Sequence, residues 1–247
     1  MNRLIKAESY RLGKHISFLV ICTVICGLIP VITAINYVGA DLGTQLQQSG
    51  MMIMAIMMLY PPLFASVAGT LYDQGKLGYY EIMAGNSPFS IVFSKILTDG
   101  ILFLALTFVT GCGYYIFAGF RWGLGSFDHV VGRLLLLIVA LARVAFCSVL
   151  ILLVVRKSKT GIVTCFMRFW IVDIMVFPFF TWLFGTIMKM PELGLHFSYM
   201  SLTNQLMIII TEPIDGMMIV HVLLGFVIEF ALWYFIIDLG IRKRKIA

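Results

Sequence analysis

The sequence predicts an all-α polytopic membrane protein with six transmembrane helices, an N-terminal interfacial helix and both termini in the cytoplasm. Three observations carry that prediction. Of 247 residues, 61% are hydrophobic and only 12% charged, with a mean hydropathy of +0.99, where a soluble domain carries about 25% charged residues. Apolar runs of about 20 residues, long enough to cross about 30 Å of hydrocarbon, recur along the whole chain. The basic residues gather in the segments on one side of those runs. Residues 1–247 therefore read as a single membrane domain.

The opening stretch, NRLIKAESYRLGKH, places Arg3, Lys6, Tyr10 and Lys14 on one stripe and Ile5 and Leu12 on another. That pattern fits a helix lying in the cytoplasmic interface, and equally a basic flank that anchors the first span. The apolar run from Ile16 lacks a small-residue cleavage pattern and reads as a retained span. Hydropathy places the spans at about 16–38, 51–72, 99–120, 133–155, 162–187 and 217–239. Cys22, Cys26, Cys112, Cys147 and Cys165 all fall within apolar runs without CxxC spacing and read as small core residues.

Orientation follows from the charges. With both termini inside, thirteen of the 18 basic residues are cytoplasmic, from Arg3 through Lys76, Lys95 and Arg156 to Lys245, against Arg121, Arg133 and Lys189 outside. The net charge of +6 is then mostly topological bias, and nothing calls for a nucleic-acid partner. The basic cluster Arg242 to Lys245 suits anionic headgroups of the lipid bilayer.

Two connections stand out. Asp73 to Ser94 is the longest cytoplasmic loop, rich in turn formers, with a short helix expected over Leu77 to Ala84 that a partner protein could grip. Between the last two spans, the apolar piece Leu206 to Ile210 is too short to cross and reads as an external re-entrant or interfacial segment. The aromatic run before it, Phe177, Phe179, Phe180, Trp182 and Phe184, reads as lipid-facing or as an interfacial belt.

Catalytic chemistry is not encoded. Gly69 to Leu77 imitates a phosphate loop, but five residues separate Gly69 from Gly75 and Leu77 follows Lys76, where a true loop has four and then Ser or Thr. His15, His129, His196 and His221 are scattered over different segments, so neither metal nor cofactor is assigned.

The sharpest signal is four charges within spans: Arg143, Arg168, Asp173 and Glu229. Each costs about 2.5–3.5 kcal/mol at the bilayer centre. Counted from the cytoplasmic basic clusters, Arg143, Asp173 and Glu229 reach similar depth. Spans four to six are thus expected to meet through Arg143 with Asp173 or Glu229, while Arg168, shallower, snorkels toward the cytoplasm. Such a pair either holds helices together or lines a transport path.

The opening Lys6-Ala7-Glu8, a first span, and a second span running into a glycine-rich loop that closes on Ser94-Lys95-Ile96-Leu97 together resemble a known pattern. The chain is similar to the membrane subunits of type-two ATP-binding cassette exporters, in particular the short bacterial permeases without an ATPase domain. The resemblance implies that Leu4 to Leu12 lie flat on the membrane. It also implies that Leu77 to Ala84 form a coupling helix, with Leu77, Tyr79, Tyr80, Glu81 and Met83 docking onto a separate ABC ATPase subunit. Short re-entrant helices before the last span match Ser198 to Thr211. One departure is the lack of a basic residue between Lys76 and Lys95. The implied function is export across the plasma membrane of a bacterium by a pair of permease subunits, identical or related. An amphipathic peptide or drug is the cargo class, and no catalytic residue lies in this chain. The alternatives from other classes are an ion-coupled carrier or a non-transporting membrane scaffold, and then a membrane-embedded enzyme.

The charge bias gives a direct test of topology. Cysteines introduced at Gln47, Ser126 and Glu192 are expected to react with an impermeant external reagent and one at Ser158 is not; external labelling at Ser158 would overturn the span assignment.

Overall fold

The computed structural model describes residues 2–13, 85–106, 108–109, 130–155 and 158–244, with isolated positions between 17 and 28. The described residues are almost all helical, with no strand among them. Spans one and two lie almost wholly outside them, as does most of span three. The expected coupling helix Leu77 to Ala84 lies outside them entirely.

The first helix, α1 (Asn2–Gly13), covers the opening amphipathic stretch. It packs against α2 (Pro88–Lys95) and the π-helical turn Ile96–Gly100 that continues it. Residues 88–94, expected as the closing part of the long loop, are helical. The local reason is a start signal that hydropathy does not weigh. The Ser87 side chain accepts from the Ser90 backbone N–H at 3.1 Å, and Pro88 occupies the first helical position, where its missing N–H has no partner to lose. Gly85, at φ +81°, supplies the left-handed turn just before.

Among the described residues, three helices are long and apolar enough to cross a membrane: Val131–Val155, Lys159–Ile187 and Gly216–Leu239. They correspond to the last three expected spans. The first belongs to α3 (Val130–Val155), the hub of the described structure, which touches α2, the Ile96–Gly100 turn, the start of the next crossing and the last crossing. Leu137, Ala140, Leu141, Val144, Ala145, Val149, Leu150 and Ile151 are all essentially sealed from solvent. A helix that is apolar all round is a buried one.

The second crossing is not one regular helix. It runs as α4 (Ser158–Met167), a π-helical segment Arg168–Val176, α5 (Phe177–Trp182) and a second π turn Leu183–Ile187. Pro178 sits inside it; its ring crowds the carbonyl four residues back and offers no N–H, a standard cause of departure from α geometry. Lys189, in the left-handed region at φ 53°, ends the crossing, and Pro191 opens the next helix.

That next helix is broken. Its halves, α6 (Pro191–Met200) and α7 (Leu202–Thr211), are separated by Ser201 alone, whose extended ψ of 126° turns the chain. α6 lies against α5 and the last crossing, α8 (Gly216–Arg244), whereas α7 lies against α3 and α8. Leu206, Ile209 and Ile210 are thereby buried, so the apolar piece too short to span is spent inside the bundle. The aromatic run divides as well. Phe179 and Trp182 are half exposed, but Phe180 and Phe184 stack on Phe197 of α6, at 5.4 and 5.1 Å between ring centroids.

Gly194 makes the α5–α6 approach possible. A Cβ there would stand 2.9 Å from the Thr181 carbonyl oxygen and 3.0 Å from the Gly185 nitrogen, both backbone atoms that cannot step aside. Gly194→Ala is therefore expected to lower the detergent melting temperature, by an overpacking cost of about 1–3 kcal/mol, while Gly216→Ala, in open space, serves as the neutral control. Equal melting temperatures for both variants would contradict this packing.

Candidate functional site

The four charges expected within the spans converge at one place. Arg143 lies thirteen residues into α3 and Glu229 thirteen residues into α8, so both sit near mid-length of their helices. Asp173 is central in the irregular crossing. All three are buried, as is Arg168.

Their pairing settles one expectation and corrects another. Of the two partners expected for Arg143 it takes Glu229, to whose Oε2 its Nε donates at 2.7 Å. Arg168 does not snorkel: it turns inward and forks onto both oxygens of Glu229, Nε to Oε1 and Nη2 to Oε2, and gives Nη1 to Asp173 Oδ2 at 2.5 Å. Five residues apart on an α-helix, Arg168 and Asp173 would point about 140° from each other. The i→i+5 bonding of the π segment stacks them on one face instead. Hydropathy carries no trace of that widening, which is why Arg168 looks free to snorkel in the sequence.

Glu229 is thus the shared anion of two guanidinium groups. Two positive and two negative charges make the cluster neutral overall. In an apolar surrounding this matters, since an isolated ion is far costlier to bury than a hydrogen-bonded set.

The cluster also receives the apex of the broken helix. Arg143 Nη1 donates to the Met200 carbonyl, the last residue of α6, and to Gln205 Oε1, each at 3.0 Å. Asp173 Oδ1 accepts from the Leu202 N–H, the first residue of α7, at 2.9 Å. Ser201, in the N-cap position, makes no side-chain cap of its own. A cation therefore meets the negative end of α6 and an anion the positive end of α7, the favourable sense for both dipoles. Gln205 ties the turn further, donating to the carbonyls of Tyr199 at 2.9 Å and His221 at 3.1 Å.

Two participants escaped the sequence reading. Arg133, expected on the outer flank, is buried, and its Nη1 donates to the carbonyls of Ile209 and Ile210 at 2.8 and 3.0 Å, closing the far end of α7. Gln205 is uncharged, so a search for intramembrane charges passes over it. Gly225 on α8 leaves room for Arg143 and Gln205, since a Cβ there would stand 2.7 Å from Arg143 Nη1 and 3.1 Å from Gln205 Nε2.

Comparison with protein-family models, curated proteins and solved structures gives no match. The chemistry must be read from the site itself. Every carboxylate oxygen of the cluster already accepts a hydrogen bond. Among the described residues, no group of three or more potential metal ligands gathers. The arrangement is a connector that joins the three long apolar helices and the broken pair α6–α7.

The connector predicts a specific pattern of coupling. Removing Glu229 strands two arginines, so Glu229→Leu is expected to cost more folded yield than Arg143→Leu; loss of one buried partner typically costs about 3–5 kcal/mol. In thermal-stability cycles, Arg143→Leu with Glu229→Leu should be strongly non-additive, and Arg143→Leu with Asp173→Leu less so, because the first pair is in direct contact and the second is joined only through Arg168 and Glu229. Additivity in the first cycle would refute the shared-anion arrangement.

Proposed function

We propose that the chain is the membrane-spanning permease subunit of an ATP-driven exporter in a bacterial plasma membrane. It pairs with a second permease subunit, identical or related, and with separate ATPase subunits that hydrolyse ATP. The observation that carries this reading is the pair of short helices α6–α7 immediately before the last long apolar helix, where the resemblance leads one to expect short re-entrant helices. The six-span hydropathy pattern, the one-sided distribution of basic residues and the Lys6-Ala7-Glu8 opening on α1 support it. On this reading residues 77–84 dock onto the ATPase, and nucleotide-driven movement of that loop alternates the exposure of a path between the two permeases. The cargo class is an amphipathic peptide or drug.

The ion-coupled carrier is the reading that the buried charges themselves would favour. In such carriers the ends of broken helices near the membrane midplane hold the substrate and the coupling ion. Here the corresponding positions are filled by the chain's own Arg143 and Asp173. A relay would need to break a fully engaged network, so the exporter is the better account.

The test is biochemical. An affinity-tagged chain purified from its native membrane should bring with it an ATP-hydrolysing subunit, and Glu81→Lys should sharply reduce the hydrolysis stimulated by the permease while membrane insertion survives, since charge reversal on a docking segment repels its partner. Purification without any ATPase would sink the exporter reading; unchanged stimulation in Glu81→Lys would sink the docking assignment alone.

A further inference from the structure

His196 of α6 and His221 of α8 are 25 residues apart and inconspicuous in the sequence, yet their rings stack within 18° at a centroid distance of 5.0 Å. Nδ1 of His196 lies 2.9 Å from Nε2 of His221. The other nitrogen of His221, Nδ1, lies 2.7 Å from the carbonyl oxygen of Met217. A carbonyl only accepts, so His221 Nδ1 carries a proton, and a neutral His221 then presents a bare Nε2. The proton between the rings therefore belongs to His196 Nδ1. That assigns both tautomers from geometry.

We infer that His196 and His221 form a binding site for a single proton, which clamps the re-entrant helix α6 to the last crossing. His196 is exposed while His221 is 6% exposed. An added proton goes to His196 Nε2, the nitrogen not used between the rings. His196 Nδ1–H continues to donate to His221, and the bond becomes charge-assisted, roughly twice as strong as the neutral one. A second proton has only His221 Nε2 to occupy. There it would abolish the sole acceptor between the rings and set two cations face to face.

The clamp is wired to the charge cluster. The His221 carbonyl accepts from Gln205, and Gln205 accepts from Arg143. Tyr199 stands 5.5 Å from the His221 ring. The other ionisable groups of the elements that pack around the pair are Lys189, Glu192, Glu212, Asp215, Tyr234 and Asp238, the basic end of α8 at Arg242, Lys243 and Arg244, and, deeper in the network, Arg133, Arg143, Arg168, Asp173 and Glu229. Three of them, Glu192, Glu212 and Asp215, are acids in or beside the turns that bound α6, α7 and α8.

The test uses the full chain in lipid bilayers, labelled with nitrogen-15 at its four histidines, and solid-state NMR between about pH 8 and about pH 5, where histidine changes charge. His196→Gln and His221→Gln assign the signals. The expected result is that His196 shifts from one protonated nitrogen to two, while His221 keeps one bare nitrogen throughout. The unmodified chain is expected to gain melting temperature from about pH 8 to about pH 6, and His196→Gln should shift the His221 Nε2 signal and erase that gain. Should His221→Gln not fold, the exposed His196→Gln still decides. Simultaneous protonation of both rings, a His196 that never titrates, or a His221 signal and acid stabilisation untouched by His196→Gln would each overturn the proposal.

Discussion

The described structure depends on Glu229 being held by two arginines at once. A carboxylate in an apolar bundle is tolerable only when its charge is met and its lone pairs are filled. Glu229 accepts from Arg143 Nε and from two nitrogens of Arg168. Because Arg143 belongs to the buried hub helix and Arg168 to the irregular crossing, this one side chain fixes α8 against both. The spans could slide past one another if apolar packing alone joined them, since lipid tails compete equally well for leucine and valine. The charges remove that freedom.

The second constraint is the backbone of the broken helix. An interruption between two helices exposes carbonyls at one end and N–H groups at the other, and within hydrocarbon water is not there to meet them. Side chains from neighbouring elements take its place. Arg143 and Gln205 take the carbonyls of α6, Asp173 takes the first N–H of α7, and Arg133 takes the last carbonyls of α7. A helix of ten residues is too short to be stable alone. Capped by charges at both ends and buried through Leu206, Ile209 and Ile210, α7 becomes a rigid wedge between crossings.

Much of this was legible in the sequence, and the remainder was not for identifiable reasons. Apolar runs announce the three long helices among the described residues, and the shortness of Leu206 to Ile210 announces a helix that cannot span and is packed within the bundle. The equal depth of Arg143 and Glu229 can be counted, because the rise per residue of a regular helix is fixed. Arg168 defeats the same count, since the π segment changes which residues share a face. Ser87-Pro88 was a readable helix start that hydropathy outweighed. The Gln205, Arg133 and His196–His221 contacts join residues 16 to 77 positions apart, and such pairings emerge only once Ser201 is known to turn the chain back.

These constraints bear on motion. α3, α8, the centre of the irregular crossing and the wedge share one hydrogen-bonded network, so they are expected to move as a body and not slide past one another. The faces left over are apolar and open: Val163, Met167 and Met175 on one crossing, Val220, Val227 and Phe235 on the other. On the proposed permease reading, changes of shape then fall at the borders of this module. The His196–His221 bond lies at such a border, joining α6 to α8 beyond the charges. A device that tightens or releases α6 therefore reaches the wedge through Gln205 and Arg143, the same arginine that holds Glu229.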